Sequence, residues 1–134
     1  MSNFQCPKCL AHICVGNHLI FKVRNQKKKT GLLLLHPQIG NYASIKHPSF
    51  EIETGEALEF FCPACNSSLE SGIHRNLVHV ILQEESGQDH DVYFSRISGE
   101  QSTFETSGDA LRAVGDDAGR YTYFKLGDKF KRFL

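Results

Sequence analysis

The sequence contains no apolar run approaching the roughly 18 to 20 residues that cross a bilayer; its longest compact one, Leu32–Leu35, is strand-sized. The segment from Met1 to Gln5 lacks a charged stretch leading into a long apolar one, so no secretory signal is expected and the expected compartment is the cytoplasm. Also missing are a glycine-rich phosphate loop, a nucleophile elbow and a HExxH helix. Residues of catalytic type do occur, in Ser95-Arg96, Ser98-Gly99-Glu100 and His90-Asp91. They sit on or beside strand and turn patterns, where such residues serve solubility and turn formation, and are expected at the surface. No enzyme is expected. The seven histidines (His12, His18, His36, His47, His74, His79 and His90) show neither HxH nor HxxxH spacing, so a second metal centre would require convergence in space.

Acidic residues are absent from the first fifty positions, which hold seven Lys or Arg. Residues 51–120 then carry fourteen acids against four arginines, and the last fourteen residues return to a net positive charge, for a total of zero. Such asymmetry predicts either a basic face and an acidic face or segments that pair with one another in the fold.

With 40% apolar residues, the 134-residue chain can bury a real core, and its length fits a single domain over 1–134. Strand patterns dominate. Leu19, Phe21 and Val23 alternate with Lys22 and Arg24; Asn25–Gly31 reads as a hairpin loop and Leu32–His36 as a more fully buried return strand. Residues 37–56 read as irregular. Ala57–Phe61 is a short strand, Leu77–Leu82 and Asp91–Ile97 form a second hairpin about the turn at Glu85–Asp89, and Ser102–Thr106 is a candidate third strand. A cysteine pair, a connector of roughly ten residues, a strand, a polar turn and a strand thus occur twice, with little residue identity. The halves fall at about 1–56 and 57–106, with a C-terminal extension over 107–134. In that extension Asp109–Val114 suits a strand or a helical turn, and Asp116-Asp117 would cap a short helix through Phe124. His79, inside a strand, is expected to pack across it.

The chemistry lies in the cysteines. Cys6-Pro7-Lys8-Cys9 and Cys62-Pro63-Ala64-Cys65 each place two thiols two residues apart, with a proline that fixes φ for the tight turn between them. In a reducing compartment such pairs read as metal sites rather than disulfides, and an odd count of five suits four ligands and one spare. Four thiolates match the tetrahedron of one structural zinc and leave no open position for catalysis. Closing 52 residues between Cys9 and Cys62 is entropically tolerable, because closure cost grows slowly with loop length. Iron is the main rival. Cys14, in Ile13-Cys14-Val15, reads as a small apolar residue rather than a ligand.

The two CPxC pairs resemble the knuckles of zinc-ribbon and rubredoxin-like proteins. The resemblance covers the knuckles and the hairpins beside them, not residues 99–134, and implies zinc-ribbon-like antiparallel hairpins around the metal. Rubredoxin knuckles carry a glycine after the second cysteine, where this chain has Leu10 and Asn66, which argues against iron. The group's members serve transcription, translation, electron transfer and enzyme stabilisation, so the resemblance hands over no function. The expected function is that of a zinc-stabilised, non-enzymatic interaction or regulatory protein docking on another protein, with the C-terminal aromatics Tyr121, Tyr123, Phe124, Phe130 and Phe133 as candidate anchors. The alternative is nucleic-acid binding, to RNA, the ribosome or DNA, through Lys22, Arg24, Lys27, Lys28 and Lys29 of the basic half.

Overall fold

The computed structural model describes residues 3–107 and 110–118. Every strand or helix named among them is a strand, and every pairing is antiparallel. The order is β1 (Asn3–Gln5), β2 (Cys14–Val15), β3 (His18–Arg24), β4 (Thr30–Leu35), β5 (Ser44–Lys46), β6 (Glu59–Phe61), β7 (Leu77–Gln83), β8 (Asp89–Ser95), β9 (Thr103–Ser107) and β10 (Ala110–Val114). One sheet runs β1-β7-β8-β9-β10. The other runs β2-β3-β4-β5, with β6 also paired to β3.

The expected hairpins are β3–β4 and β7–β8, and the expected third strand is β9. Three strands lie where no strand was expected. β1 and β2 flank the first knuckle, and β5 lies within the stretch read as irregular; all three are only two or three residues long, too short to show a period. Of the two readings of Asp109–Val114, the strand is the one found, as β10. The helix through Phe124 and the C-terminal aromatics fall outside the described residues.

The registers disclose a repeat more complete than the sequence suggests. In the first unit Leu33, Leu34 and Leu35 pair with Lys46, Ile45 and Ser44; in the second, Val92, Tyr93 and Phe94 pair with Glu105, Phe104 and Thr103, every partner displaced by 59 positions. The hairpins follow the same shift: Leu19 opposes Leu35 as Val78 opposes Phe94. Around the knuckles the shift is 56, so that Ile13 N donates to Phe4 O as Leu69 N donates to Phe60 O, both at 2.9 Å. The three extra residues enter between Leu69 and the second hairpin, since Ile20 N donates to Ile13 O and its counterpart His79 N donates to Leu69 O.

The units also exchange a strand. β1, which leads into the first knuckle, pairs with β7 of the second hairpin; β6, which leads into the second knuckle, pairs with β3 of the first. Phe4 opposes Leu82 and Phe60 opposes Val23, the same contact with the units interchanged. This reciprocity is the signature of a two-fold relation.

One core fills the space between the units. Phe4, Leu19, Phe21, Val23 and Leu33 meet Phe60, Leu69, Val78, Val80, Leu82 and Val92, all buried. In β3 the period-2 pattern aims Leu19, Phe21 and Val23 inward. Phe21, Phe60 and Phe94 pack ring on ring, with centroids 5.3–5.6 Å apart and planes inclined by 60–84°, the tilted arrangement that aromatic quadrupoles favour. Leu32 departs from the expected burial of its strand. At 51% exposure it lies on the outer face, because alternation commits only Leu33 and Leu35 to the core side.

Candidate metal centre

Each knuckle is a tight turn built by its backbone. Leu10 N donates to Cys6 O and Asn66 N to Cys62 O, both at 2.9 Å; Cys6 N donates to Ala11 O and Cys62 N to Ser67 O, both at 3.0 Å. The residue closing each turn is left-handed, with φ of 63° at Leu10 and 62° at Asn66. Glycine usually fills such a position because a Cβ strains it. These two positions adopt the conformation without glycine, so the missing glycine no longer distinguishes zinc from iron.

The turns aim amides at sulfur. Lys8 N and Cys9 N lie 3.3 and 3.5 Å from Cys6 Sγ, and Ala64 N and Cys65 N lie 3.3 and 3.5 Å from Cys62 Sγ. Such N–H groups stabilise a thiolate and tune whatever it binds.

The strand exchange brings the two knuckles together. Cys6, Cys9, Cys62 and Cys65 present sulfurs that all lie within 4.8 Å of one another. Cys6 Sγ lies 3.8 Å from Cys65 Sγ, and Cys9 Sγ lies 3.7 Å from Cys62 Sγ. A tetrahedron with metal–sulfur bonds of about 2.3 Å has edges of about 3.8 Å, so these spacings fit four thiolates on one ion. They are far too long for a disulfide, whose sulfurs stand about 2.05 Å apart, and all five cysteines are free. The two short distances are equivalent under the repeat, which puts the ion position where the units meet.

The inner and outer sulfurs differ. Cys6 and Cys62 are fully buried, whereas Cys9 and Cys65 are exposed. Burial pushes the Cys6 thiol up to about 12, while hydrogen bonding from Ser67 draws Cys65 down to about 6. Metal binding must therefore expel a firmly held proton from Cys6, and acidification opposes it.

Cys14 stands apart from the cluster and packs half-buried against the core, the role of a small apolar residue. His79 packs across the sheet as expected, stacked on Tyr93 with centroids 4.7 Å apart and 2.8 Å from Asp91. His90 does not lie at the surface: it is 6% exposed, because its alternation on β8 turns it inward. Its neighbours Glu84 and Glu105 carry no spacing motif. Only the hairpin register brings the three together.

Several of the basic candidates are engaged with carboxylates. Arg24 donates to Glu59 at 2.6 and 3.2 Å and lies 5.3 Å from the centroid of the Phe61 ring. Lys27 lies 3.3 Å from Glu51, and Lys28 lies 4.0 Å from Glu59. Lys22 donates to Asn66 at 2.8 Å. The acid-free first half thus meets acids of residues 51–59. The loop holding Lys27–Lys29 is organised by buried Asn25, whose Oδ1 accepts from Lys27 N and Lys29 N and whose Nδ2 donates to Glu51 O.

Comparison with family models, curated proteins and solved structures finds no match, so the site rests on its own geometry.

Proposed function

We propose that this chain is a non-enzymatic protein-docking module whose two units are clasped by one structural zinc on Cys6, Cys9, Cys62 and Cys65. The carrying observation is that four sulfurs drawn from opposite halves all lie within 4.8 Å of one another, two of them fully buried. A closed thiolate shell serves folding rather than substrate activation. Zinc is preferred because paired CxxC turns are the commonest frame for structural zinc. Reduced thiols suit the cytoplasm. No helix among the described residues is long and apolar enough to cross a membrane.

Docking is supported by exposed apolar side chains on one sheet face among the described residues. Register places Ile20, Leu34 and Ile45 side by side on the outer face of the first unit, with Leu32 on the same side of β4. Leu32 and Ile45 are 51% and 53% exposed. Beside them β5 ends its sheet, and all three of its residues are exposed. An open edge next to apolar side chains suits a partner that adds a strand. The nucleic-acid alternative draws less support, since Arg24, Lys27 and Lys28 stand beside carboxylates that offset their field.

The test has two arms. Metal analysis of the full chain should find one zinc per chain in a colourless sample; stoichiometric iron, with its visible absorption, overturns zinc. Affinity capture should retain a protein partner that Leu32→Glu and Ile45→Glu release. Retention on RNA or DNA that falls steeply with salt and is lost when Lys27, Lys28 and Lys29 become Glu would replace the docking reading.

A further inference from the structure

At the tip of the second hairpin, Glu84 follows β7, His90 lies on β8 and Glu105 lies on β9. One ligand atom from each lies within 4.8 Å of the other two. His90 is buried, and its Nδ1 stands 3.0 Å from the carbonyl oxygen of Thr106. A carbonyl only accepts, so Nδ1 carries the proton and donates. That fixes the tautomer and leaves the other ring nitrogen, Nε2, facing Glu84. Nε2 is buried, has no hydrogen-bond partner, and lies 3.3 Å from Glu84 Oε1.

A neutral imidazole in this position would face its lone pair against carboxylate oxygens, which is repulsive at low dielectric. Either a proton on Nε2 directed at Glu84 or a bound cation relieves this. A histidine whose Nδ1–H is anchored on a backbone carbonyl while Nε2 faces acidic oxygens is also the arrangement of a metal-ligating histidine with its supporting shell in place. Arg112 Nη1, 3.5 Å from Glu105 Oε1, balances part of the negative charge from outside.

The matched positions of the first unit hold Asn25, Gly31 and Lys46. There Phe50 lies over the glycine, and a Cβ on Gly31 would stand 2.7 Å from Phe50 Cγ. The first unit fills with an aromatic ring the place where the second keeps a histidine and two acids, so the cluster is a property of the second unit and not of the shared fold.

We propose that Glu84, His90 and Glu105 form a second cation site, taking a divalent transition metal through one imidazole nitrogen and two carboxylates. This set suits metals of intermediate hardness such as Zn²⁺ or Mn²⁺, and it leaves positions for water. It differs in ligand chemistry from the four-cysteine centre.

The full chain, with its four-cysteine centre saturated, is titrated with Mn²⁺ followed by electron paramagnetic resonance, and separately with Zn²⁺ followed by calorimetry. A second equivalent of either is expected, together with a shift of the His90 Nε2 resonance in nitrogen-15 spectra. Glu105→Gln and His90→Ala should each weaken that equivalent at least about tenfold and leave the first intact. Should His90→Ala fail to fold, Glu84→Gln carries the same test, since the Glu84 side chain is 43% exposed and takes no part in the core. The proposal is overturned by the absence of a second equivalent of both metals to millimolar concentration, as a His90 that only binds a proton would give, or by unchanged binding in Glu84→Gln and Glu105→Gln.

Discussion

The unit at 3–46 and the unit at 59–107 share a backbone plan and fill it differently. Both have a knuckle closed by a left-handed residue, a hairpin in the same register and a further strand on its edge. The outer face of the first holds half-buried Ile20 and Leu34 beside exposed Ile45; the matched residues of the second are His79, Tyr93 and Phe104, and the last two are buried. Tyr93 and Phe104 form a second small core with Leu77 and Ala118, joined by Ile73, so the insertion after Leu69 and the segment after β10 cover that face. Backbone geometry follows from knuckles and registers that many side chains satisfy, whereas chemistry follows from particular residues at matched positions. A repeat can thus keep its architecture while one copy presents exposed apolar side chains and the other a histidine between acids.

The comparison breaks most completely at the metal. Cys6 and Cys62 occupy equivalent places in the four-cysteine cluster, so Cys6→Ser and Cys62→Ser should cost the same. Each is expected to lose more than about 4 kcal/mol of stability, the scale of a lost structural metal. Thermal unfolding with and without a chelator measures this: the chelator should bring the unaltered chain close to both variants and leave the variants unmoved. A chain whose melting ignores the chelator would show that the units need no ion to stay together.

A second test makes the units differ more. Alanine at Gly31 drives a Cβ into the ring of Phe50, which is buried over it. The expected cost is about 1–3 kcal/mol, the usual price of overpacking. Phe50→Leu in the same chain should recover part of that cost, and a double-mutant cycle by denaturant unfolding reads the coupling. Additive effects would mean that the glycine is not held for the ring.

These matched positions also mark what the sequence discloses. The four clustered cysteines were legible because Cys-Pro-x-Cys is a local turn, and the hairpins because Leu19, Phe21 and Val23 alternate over a full strand. β1, β2 and β5 were not, since strands of two or three residues are specified by their partners: Phe4 is fixed by Leu82 and Ile45 by Leu34. The cluster at Glu84, His90 and Glu105 was hidden for the same reason, its members lying on three different segments. Inward alternation of His90 on β8 was the available signal, and it required the register of the second hairpin to be known. The charge pattern gave the pairing of halves in outline, but which acid meets Arg24 depends on the exchange of β6 onto β3.

That exchange supplies the smallest of the three tests. Arg24 opposes Glu59 across β3 and β6, and the equivalent pair across β7 and β1 is Gln83 with Asn3, so one junction is ionic and its twin neutral. The hydrogen bond from Arg24, helped by its charge and that of Lys28, holds the Glu59 carboxyl below its ordinary range. A carboxylate whose folded pKa is depressed adds stability above its unfolded pKa and loses it as pH falls through the folded value. Both side chains are more than a third exposed, at 37% and 38%, so screening keeps the contribution small. Glu59→Gln, which makes the junctions alike, should cost about 0.5 kcal/mol at pH 7. The gap to the unaltered chain should close as acid protonates Glu59, in denaturant unfolding followed across pH. A gap that persists in acid would assign the effect to packing of β6 rather than to charge. A gap that vanishes would show that the two-fold scaffold tolerates either junction, with the ion pair serving to steer the acids of residues 51–59 onto the basic hairpin.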